Sequence, residues 1–558
     1  MIQYDEQHDY IVIGSGAGSM CAALRVAKAG KKVLLLEKSE WIGGTTARSG
    51  GVMWIPNNPF MKRDGVDDST EQATRYLDAL AEGQPPLRAG TPERRAAFIE
   101  EGPKMLQFLT EQGIRLNRVE YWPDYYDELP GGSKPGRTVV SELFNMKELG
   151  PWRKRFRKGF LPLPLMLQDA LKMNRVKREW PARLMLLRFI GRLLGQVLTG
   201  KRFVSAGAAL QGQLLKACLA AGVDVRTSMP VTELLTAEGR VVGVRAGGNG
   251  GSLTFSSKLG VLVDAGGFAR NQGLRDRYLP GTKTDWSNTV ESDTGDLLEM
   301  MMTLGADTEG LGLLLGYQSM IPPGKEGDMI KPGAQKQGAA PHSIVVDQTG
   351  VRYLNEGGSY VAFVKNMMDR NAENPGSALP SWIIMDSQAV KKYGIAGVKK
   401  KATLQKWAES GYLKTADSPA ALADALNMDP SALSSTIERF NGMVEKQCDD
   451  DFARGKRAYD QWLGDPYNAP NASLGKLEVG PFYAVPVLPG DVSTLGGVVT
   501  DVHARVLTSD GEVIPGLYAT GVAAASPFGQ VYPGAGASIG PAYTFGYVAA
   551  GHALSTNT

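Results

Sequence analysis

Cysteine and histidine are scarce: the 558 residues include three of the first and four of the second. Cys21, Cys218 and Cys448 are far apart, odd in number and without a Cys-x-x-Cys pair. That excludes a disulfide framework and a zinc site built on paired thiolates, and a reducing compartment is the expectation. His8, His342, His503 and His552 form no cluster in sequence. Metal binding and Ser-His-Asp catalysis therefore lack support, and no metal is expected. No run of about 18 uncharged apolar residues occurs, so no bilayer-spanning helix is predicted. The first ten residues are polar and acidic and do not form a signal-peptide pattern. Net charge is only +3, so the total carries no nucleic-acid signal.

Glycine, in contrast, is abundant at 68, and it clusters where the chemistry is. Residues 10–13 (Tyr-Ile-Val-Ile) are an apolar strand, followed at once by Gly14-Ser15-Gly16-Ala17-Gly18-Ser19 and an alanine-rich helical pattern. A second buried strand, Val33 to Leu36, ends on Glu37 and Lys38. This is a β-α-β unit carrying a dinucleotide fingerprint. Gly14 permits the tight turn, and Gly16 lets backbone approach a pyrophosphate on the helix N-terminus. Glu37 stands about 20 residues on, where a carboxylate accepts from ribose hydroxyls. The third small position is Ser19 rather than Gly. A second cluster, Gly43-Gly44-Thr45-Thr46-Ala47-Arg48-Ser49-Gly50-Gly51, suits the long arm and ring edge of a flavin, which need backbone at close range.

Helices are predicted over Glu71 to Ala81 and Glu93 to Gln112 from apolar spacing. The loop Trp122-Pro123-Asp124-Tyr125-Tyr126 carries large side chains. Residues 151–202 hold fourteen Lys and Arg against Asp169 and Glu179, a local charge of +12. The spacing predicts a helix over Ala182 to Leu198, with Leu186, Leu187, Phe189, Ile190, Leu193, Leu194, Val197 and Leu198 on one face. Arg188, Arg192, Gln196 and Thr199 fall on the other. Such a helix either lies in a lipid headgroup layer or packs on its own protein with a solvated basic face. Residues 260–268 form a buried strand ending at Gly266-Gly267, and Thr294-Gly295-Asp296 caps a helix. The chain ends with a strand at Leu517 to Gly521, a glycine loop at Tyr532 to Gly540 and a helix over Pro541 to Ala553.

The Gly43–Gly51 cluster with Trp54-Ile55-Pro56-Asn57, and Tyr532-Pro533-Gly534-Ala535-Gly536, resemble the 3-ketosteroid Δ1-dehydrogenases among the fumarate reductase-like flavoproteins. The resemblance covers most of the chain outside the basic insertion. It implies an α/β fold: a Rossmann-like FAD-binding domain in two parts, 1–279 and 494–558, with an inserted α+β substrate and catalytic domain over 280–493. A basic amphipathic helical insertion occupies 151–203. It implies FAD held by Gly14, Ser15, Gly16, Ala17, Gly18, Glu37, Lys38, Gly43, Gly44, Thr45, Ala47, Ser49, Gly50 and Gly51. Val225, Ala265, Gly266, Gly267, Asp296, Gly521, Val522, Ser538 and Ile539 complete that set; Val522 is apolar where many relatives are polar. Tyr360, in Asn355-Glu356-Gly357-Gly358-Ser359-Tyr360, resembles the proton-abstracting tyrosine. Tyr125 resembles the tyrosine that hydrogen-bonds to it, and Tyr532 with Gly536 the pair that holds a C3 ketone.

These likenesses imply 1,2-desaturation of a 3-ketosteroid such as cholest-4-en-3-one, with an external electron acceptor. Three alternatives stand beside it. A fumarate reductase-like enzyme would clamp a small acid, with Arg352 and His342 as the obvious groups. A 4,5-desaturating ketosteroid dehydrogenase shares the architecture. A membrane-peripheral flavoprotein without turnover is the third. The expected location is the cytoplasm, against an anionic inner membrane face, with no nucleic-acid partner.

Overall fold

A computed structural model describes residues 2–161, 163–170, 172–248, 251–328 and 330–556. Its largest sheet has eight strands. Five run parallel in the order Asp224–Arg226, Val33–Leu36, Glu6–Ile13, Gly251–Val263 and Val513–Ala519, and Arg505–Leu507 closes the far edge antiparallel. Register sets Tyr10 beside Val33 and Ile13 beside Leu36. All four residues of Val33–Leu36 are buried, the unbroken apolar pattern of a parallel strand covered on both faces. A hairpin, Val231–Ala237 and Arg240–Gly248, pairs with the first half of the long strand. That strand starts nine residues earlier than the apolar run at Gly260 indicates, because its solvent-side half alternates.

Helix Ala17–Lys28 follows the first strand and packs on the C-terminal helix Ile539–Ser555. Gly18 and Gly546 make the approach possible: a Cβ on Gly18 would stand 2.4 Å from the Ala542 oxygen, and one on Gly546 would stand 2.5 Å from the Gly18 oxygen. Gly18 is thus a helix-packing residue, and it does not line the cavity described below.

A separate antiparallel sheet orders Ser343–Val346, Ser381–Met385, Phe482–Val487 and Lys414–Ala416. Helix Pro430–Glu445 buries Leu433, Ile437 and Phe440 in the core formed with it. The helices expected near 71–81 and 93–112 span Thr70–Ala81 and Pro92–Glu111; Ser69 and Thr91 cap them by accepting from Gln72 N and Arg94 N.

The helix of the basic insertion spans Trp180–Thr199, and its orientation corrects the expected division of faces. Arg192 and Gln196 point inward: Arg192 pairs with Asp169 at 3.6 Å, and Gln196 accepts from Phe203 N at 2.5 Å. Polar groups with specific partners take the protein side, together with half-buried Leu186, Phe189 and Leu193. Leu184, Leu187, Ile190, Leu194, Val197 and Leu198 face outward, Val197 82% and Leu198 86% exposed. No helix among the described residues is long and apolar enough to cross a membrane.

The helix contact at Gly18 sets the first prediction. Gly18→Ala forces its new methyl onto the Ala542 backbone and should cost about 1–3 kcal/mol, read as a lower Tm; an unchanged Tm would contradict the close approach.

Candidate active site and cofactor cradle

A cavity with about 1240 Å³ of empty space, its open mouth included, lies at the carboxyl ends of the parallel strands, where open α/β sheets bind ligands. Of the expected cofactor residues, Gly14, Ser15, Gly16, Ala17, Glu37, Lys38, Gly44, Thr45, Ser49, Ala265, Gly266, Gly267, Asp296, Gly521, Val522, Ser538 and Ile539 line it. Gly14 has φ +97°, and a Cβ there would meet the Asp264 oxygen at 2.2 Å. Ser15 Oγ donates to Glu37 at 2.6 Å and accepts from Gly43 N at 2.9 Å. Lys38 pairs with Asp296 at 2.6 Å across the cavity wall.

The remaining expected contacts are corrected. Gly43 lies behind the wall and holds Ser15. Ala47 is buried in the core. Gly50 and Gly51 do not line the cavity; a Cβ on Gly51 would run into Gly207 N at 2.3 Å, so that glycine serves packing, while one on Gly50 would only touch the Leu167 side chain at 3.5 Å. Val225 is committed to the sheet beside Leu35; Met229 and Val231, three and five residues after the strand turns away, line the cavity instead.

Two acids had no motif to announce them. Asp264 ends the long strand and accepts from Ser19 N at 2.8 Å and Ser19 Oγ at 3.0 Å. The serine in place of the third fingerprint glycine is therefore a hydrogen-bonding residue as well as a small one. Burial pushes the Asp264 carboxyl up to about 7. Asp293 also lines the cavity, and neither of its buried oxygens makes a well-formed hydrogen bond to a described residue. Burial, then the charge of Asp491, pushes it up to about 7. A buried acceptor left without a donor is costly unless a ligand supplies one. The hydroxyl-rich arm of FAD supplies such donors, and the glycine backbone leaves its phosphates close approach, so the residues present fit the cofactor.

Ser538 joins this cavity to a cluster of tyrosines. It lines the cavity, its N–H donates to the Tyr532 hydroxyl at 3.1 Å, and its Oγ stands 2.9 Å from the same oxygen. The rings of Tyr360 and Tyr532 lie 5.8 Å apart, Tyr125 and Tyr360 5.6 Å, and Tyr125 and Tyr532 6.0 Å. The three expected tyrosines thus come together from segments far apart in sequence, 235 residues separating Tyr125 from Tyr360 and 172 separating Tyr360 from Tyr532. Two more complete the cluster: Tyr459, 4.3 Å from Tyr125, and Tyr317, 5.8 Å from Tyr360. Nothing around either in the sequence sets it apart from the other tyrosines.

The Pro533 carbonyl fastens the cluster, accepting from Tyr125 N at 3.0 Å and Tyr76 OH at 2.7 Å. Beside Tyr125, buried Asp124 accepts from Trp54 Nε1 at 2.7 Å and Arg137 Nη1 at 2.5 Å. Gly536 has φ +98°, and a Cβ would meet the Val52 oxygen at 2.4 Å. Neighbouring backbone therefore demands glycine there. Burial raises the Tyr532 phenol, while hydrogen bonds from Ser538 and from the Gly536 N–H oppose that rise; the hydroxyl stays protonated and able to donate. Burial and then Tyr532 hold the Tyr360 phenol well above its ordinary value, and the Tyr125 hydroxyl opposes them. The net direction is upward, so the hydrogen bond from Tyr125 does not bring Tyr360 below its ordinary value. Tyr360 opens helix Tyr360–Glu373, whose positive end favours a phenolate.

The acid-clamping candidates are elsewhere. Arg352 is locked to Glu356 at 2.8 Å and Asp449 at 2.9 Å in a buried network, and His342 Nδ1 is 2.7 Å from the Lys476 carbonyl. His8, which stood alone in the sequence, meets Glu6 and Asp224 at 3.9 Å each. Arg226 already neutralises both acids, at 2.7 and 2.6 Å, so the trio offers a cation little.

The cradle supports a cofactor prediction. Glu37→Ala should weaken FAD about 10- to 100-fold, the value of a charge-assisted hydrogen bond, in a flavin-fluorescence titration; unchanged affinity would remove Glu37 from the site. Acid precipitation should release all flavin, since no Cys or His lines the cavity among the described residues; colour in the pellet would contradict this.

The family described as FAD binding domain matches residues 9–539. Over 98% of its length the chain is 36% identical to a 3-oxosteroid 1-dehydrogenase of Mycolicibacterium smegmatis, covering 97% of that protein. A 3-oxosteroid 1-dehydrogenase of Mycobacterium tuberculosis is 35% identical, with 98% of each chain covered. The crystal structure of 3-ketosteroid Δ1-dehydrogenase from Sterolibacterium denitrificans, in complex with 1,4-androstadiene-3,17-dione, superposes with a TM-score of 0.88 at 33% identity, covering 99% of this chain and 100% of that one. The chain belongs to the 3-oxosteroid 1-dehydrogenase family of FAD-binding flavoproteins.

Proposed function

We propose that this enzyme removes the C1 and C2 hydrogens of a 3-ketosteroid, with Tyr360 as base and Tyr532 and Gly536 as the holders of the C3 oxygen. The observation that carries it is the junction at Ser538, where a tyrosine cluster adjoins a flavin cradle. The carbonyl acidifies the C2 proton once the developing enolate oxygen is held. The Tyr532 O–H and Gly536 N–H are two donors for it, each worth about 3–4 kcal/mol when well placed. Tyr360 takes the C2 proton, and Tyr125 steadies the oxygen that receives it. The C2–H electron pair becomes the new C1=C2 bond as hydride leaves C1. FAD, when bound, supplies the two-electron acceptor for that hydride.

A water-insoluble substrate such as cholest-4-en-3-one suits the outward face of Trp180–Thr199. Arg183 and Arg188 flank its apolar stripe, and cations near an anionic surface contribute about 1 kcal/mol each. We therefore place the helix in the headgroup layer of an anionic membrane face on the cytoplasmic side.

Three outcomes test these assignments. Tyr360→Phe should lower kcat about 10²- to 10⁴-fold while a ketone ligand still perturbs the flavin spectrum; normal C2 solvent exchange in this variant would mean another base. The deprotonated phenol is the active form and its pKa is raised, so the chemical rate should climb with pH, about tenfold per unit at most; a flat profile between neutral and alkaline pH would contradict it. Replacing Leu184, Leu187, Leu194, Val197 and Leu198 by Ser should abolish sedimentation with anionic vesicles, and unchanged sedimentation would end the membrane assignment.

A further inference from the structure

A second cavity, with about 2180 Å³ of empty space counting its open mouth, lies on the outer side of the tyrosine cluster. Two of its lining residues touch that cluster. Trp462 stacks on Tyr459 with ring centroids 5.7 Å apart. Gly333 lies so close to Tyr317 that a Cβ would stand 2.2 Å from the hydroxyl. Gln335, beside the lining, donates to the Tyr459 hydroxyl at 2.8 Å. One layer of aromatic rings therefore separates this cavity from Tyr360 and Tyr125.

Its chemistry changes from the inside outward. Met320, Pro332, Trp462 and Leu463 supply apolar wall. Six cations also line it, Arg175, Lys177, Arg178, Lys336, Lys392 and Lys399, against the single acid Asp465. Asp465 is already used by Lys392 at 2.6 Å and by the Tyr393 hydroxyl at 2.9 Å. Arg175 has Glu179 at 3.7 Å, and Arg178 stacks on Tyr467 at 4.3 Å. Lys177 and Lys336 have no acid partner among the described residues. Surrounding protein and then the like charge of Arg175 lower the Lys336 pKa. Like charges gathered in a concave, part-apolar site raise the local potential for an anion. The cations come from both the basic insertion and the 336–399 segment, so the site exists only in the folded chain.

We propose that this cavity receives the side chain of the steroid substrate and that the preferred side chain ends in an anion, a carboxylate or a phosphate ester. The proposal rests on the ring-ketone assignment of Tyr532 and Tyr360. With the ketone end held there, the opposite end of the ring system meets the layer of Tyr317, Tyr459 and Trp462, and the side chain reaches the cavity by parting those rings. An apolar side chain follows the Trp462 and Leu463 wall, and a terminal anion reaches Lys336, Lys177 and their neighbours. A lipid headgroup shares the charge but needs no apolar passage to the tyrosines. Neutral side chains enter the same passage without the charge contact.

Three probes separate the possibilities: androst-4-ene-3,17-dione, 3-oxochol-4-en-24-oate and the methyl ester of that acid, each assayed with an artificial acceptor. The acid should show kcat/KM about tenfold above its ester, mostly through KM, since hydrogen bonds to charged groups contribute about 1.5–3 kcal/mol. In Lys177→Gln/Lys336→Gln that ratio should fall to near one. Phosphate in place of the carboxylate, on the same side chain, should gain at least as much. Equal kcat/KM for acid and ester in the wild type, or an unchanged ratio in the double variant, overturns the proposal. Loss of anionic-vesicle sedimentation in the double variant with the ratio intact assigns the cations to lipid and also overturns it. Failure to desaturate androst-4-ene-3,17-dione at all is a different result: it overturns the ring-ketone assignment itself.

Discussion

The carboxylate of Asp264 is the point on which the flavin end of the molecule closes. It sits where the long strand stops, accepts from the first turn of helix Ala17–Lys28 through Ser19, and is pressed by Gly14 and Gly521 from two other segments. A methyl group on Gly521 would collide with the carboxylate, and one on Gly14 with the backbone carbonyl oxygen of the same residue, at 2.2 Å in both cases. Such close approach brings the first fingerprint turn, the strand end and the C-terminal segment to one place. The helix N-terminus can then aim its free N–H groups at a pyrophosphate. The raised affinity of Asp264 for a proton follows from the same burial.

The tyrosine cluster inherits its position from that frame. The Tyr532–Gly536 loop leads into helix Ile539–Ser555, which packs on helix Ala17–Lys28. The Pro533 carbonyl then ties the Tyr125 loop to it, and buried Asp124, Trp54 and Arg137 stiffen that loop. Tyr360 arrives independently at the start of its own helix. A phenol that stays protonated, Tyr532, and one that is costly to ionise, Tyr360, thus face each other because one is anchored to the flavin frame and the other to the element that follows the Arg352 ion-pair network. Burial, which keeps Tyr532 protonated, also makes Tyr360 costly to ionise; the Tyr125 hydroxyl and the helix end oppose that cost.

Local pattern carried much of this. The β-α-β unit, the helices near 71–81 and 93–112 and most of the cradle follow from turn chemistry and apolar runs that operate within a few residues. What pattern does not carry is long-range. Val225 and Met229 are a few residues apart, and only the path of the chain after the strand decides which faces the cavity. Asp293 and Asp264 are ordinary acids in the sequence; burial raises the proton affinity of both, and leaves Asp293 without a well-formed hydrogen bond to a described residue. The helix Trp180–Thr199 has apolar residues almost all round, so the division of faces that periodicity assigned was the wrong one. Its inner face was set by Asp169 and the Phe203 N–H, partners that its own sequence does not reveal.

The central claim is that the ketone is held so that the C1–C2 bond, and no other, is oxidised. The direct measurement is an anaerobic single turnover of the FAD-loaded enzyme with 5α-androstane-3,17-dione, which is saturated on both sides of the ketone. The expected result is loss of the oxidised-flavin absorbance with one equivalent of the 1-ene product. A 4-ene product, or no bleaching with the steroid bound, would contradict it.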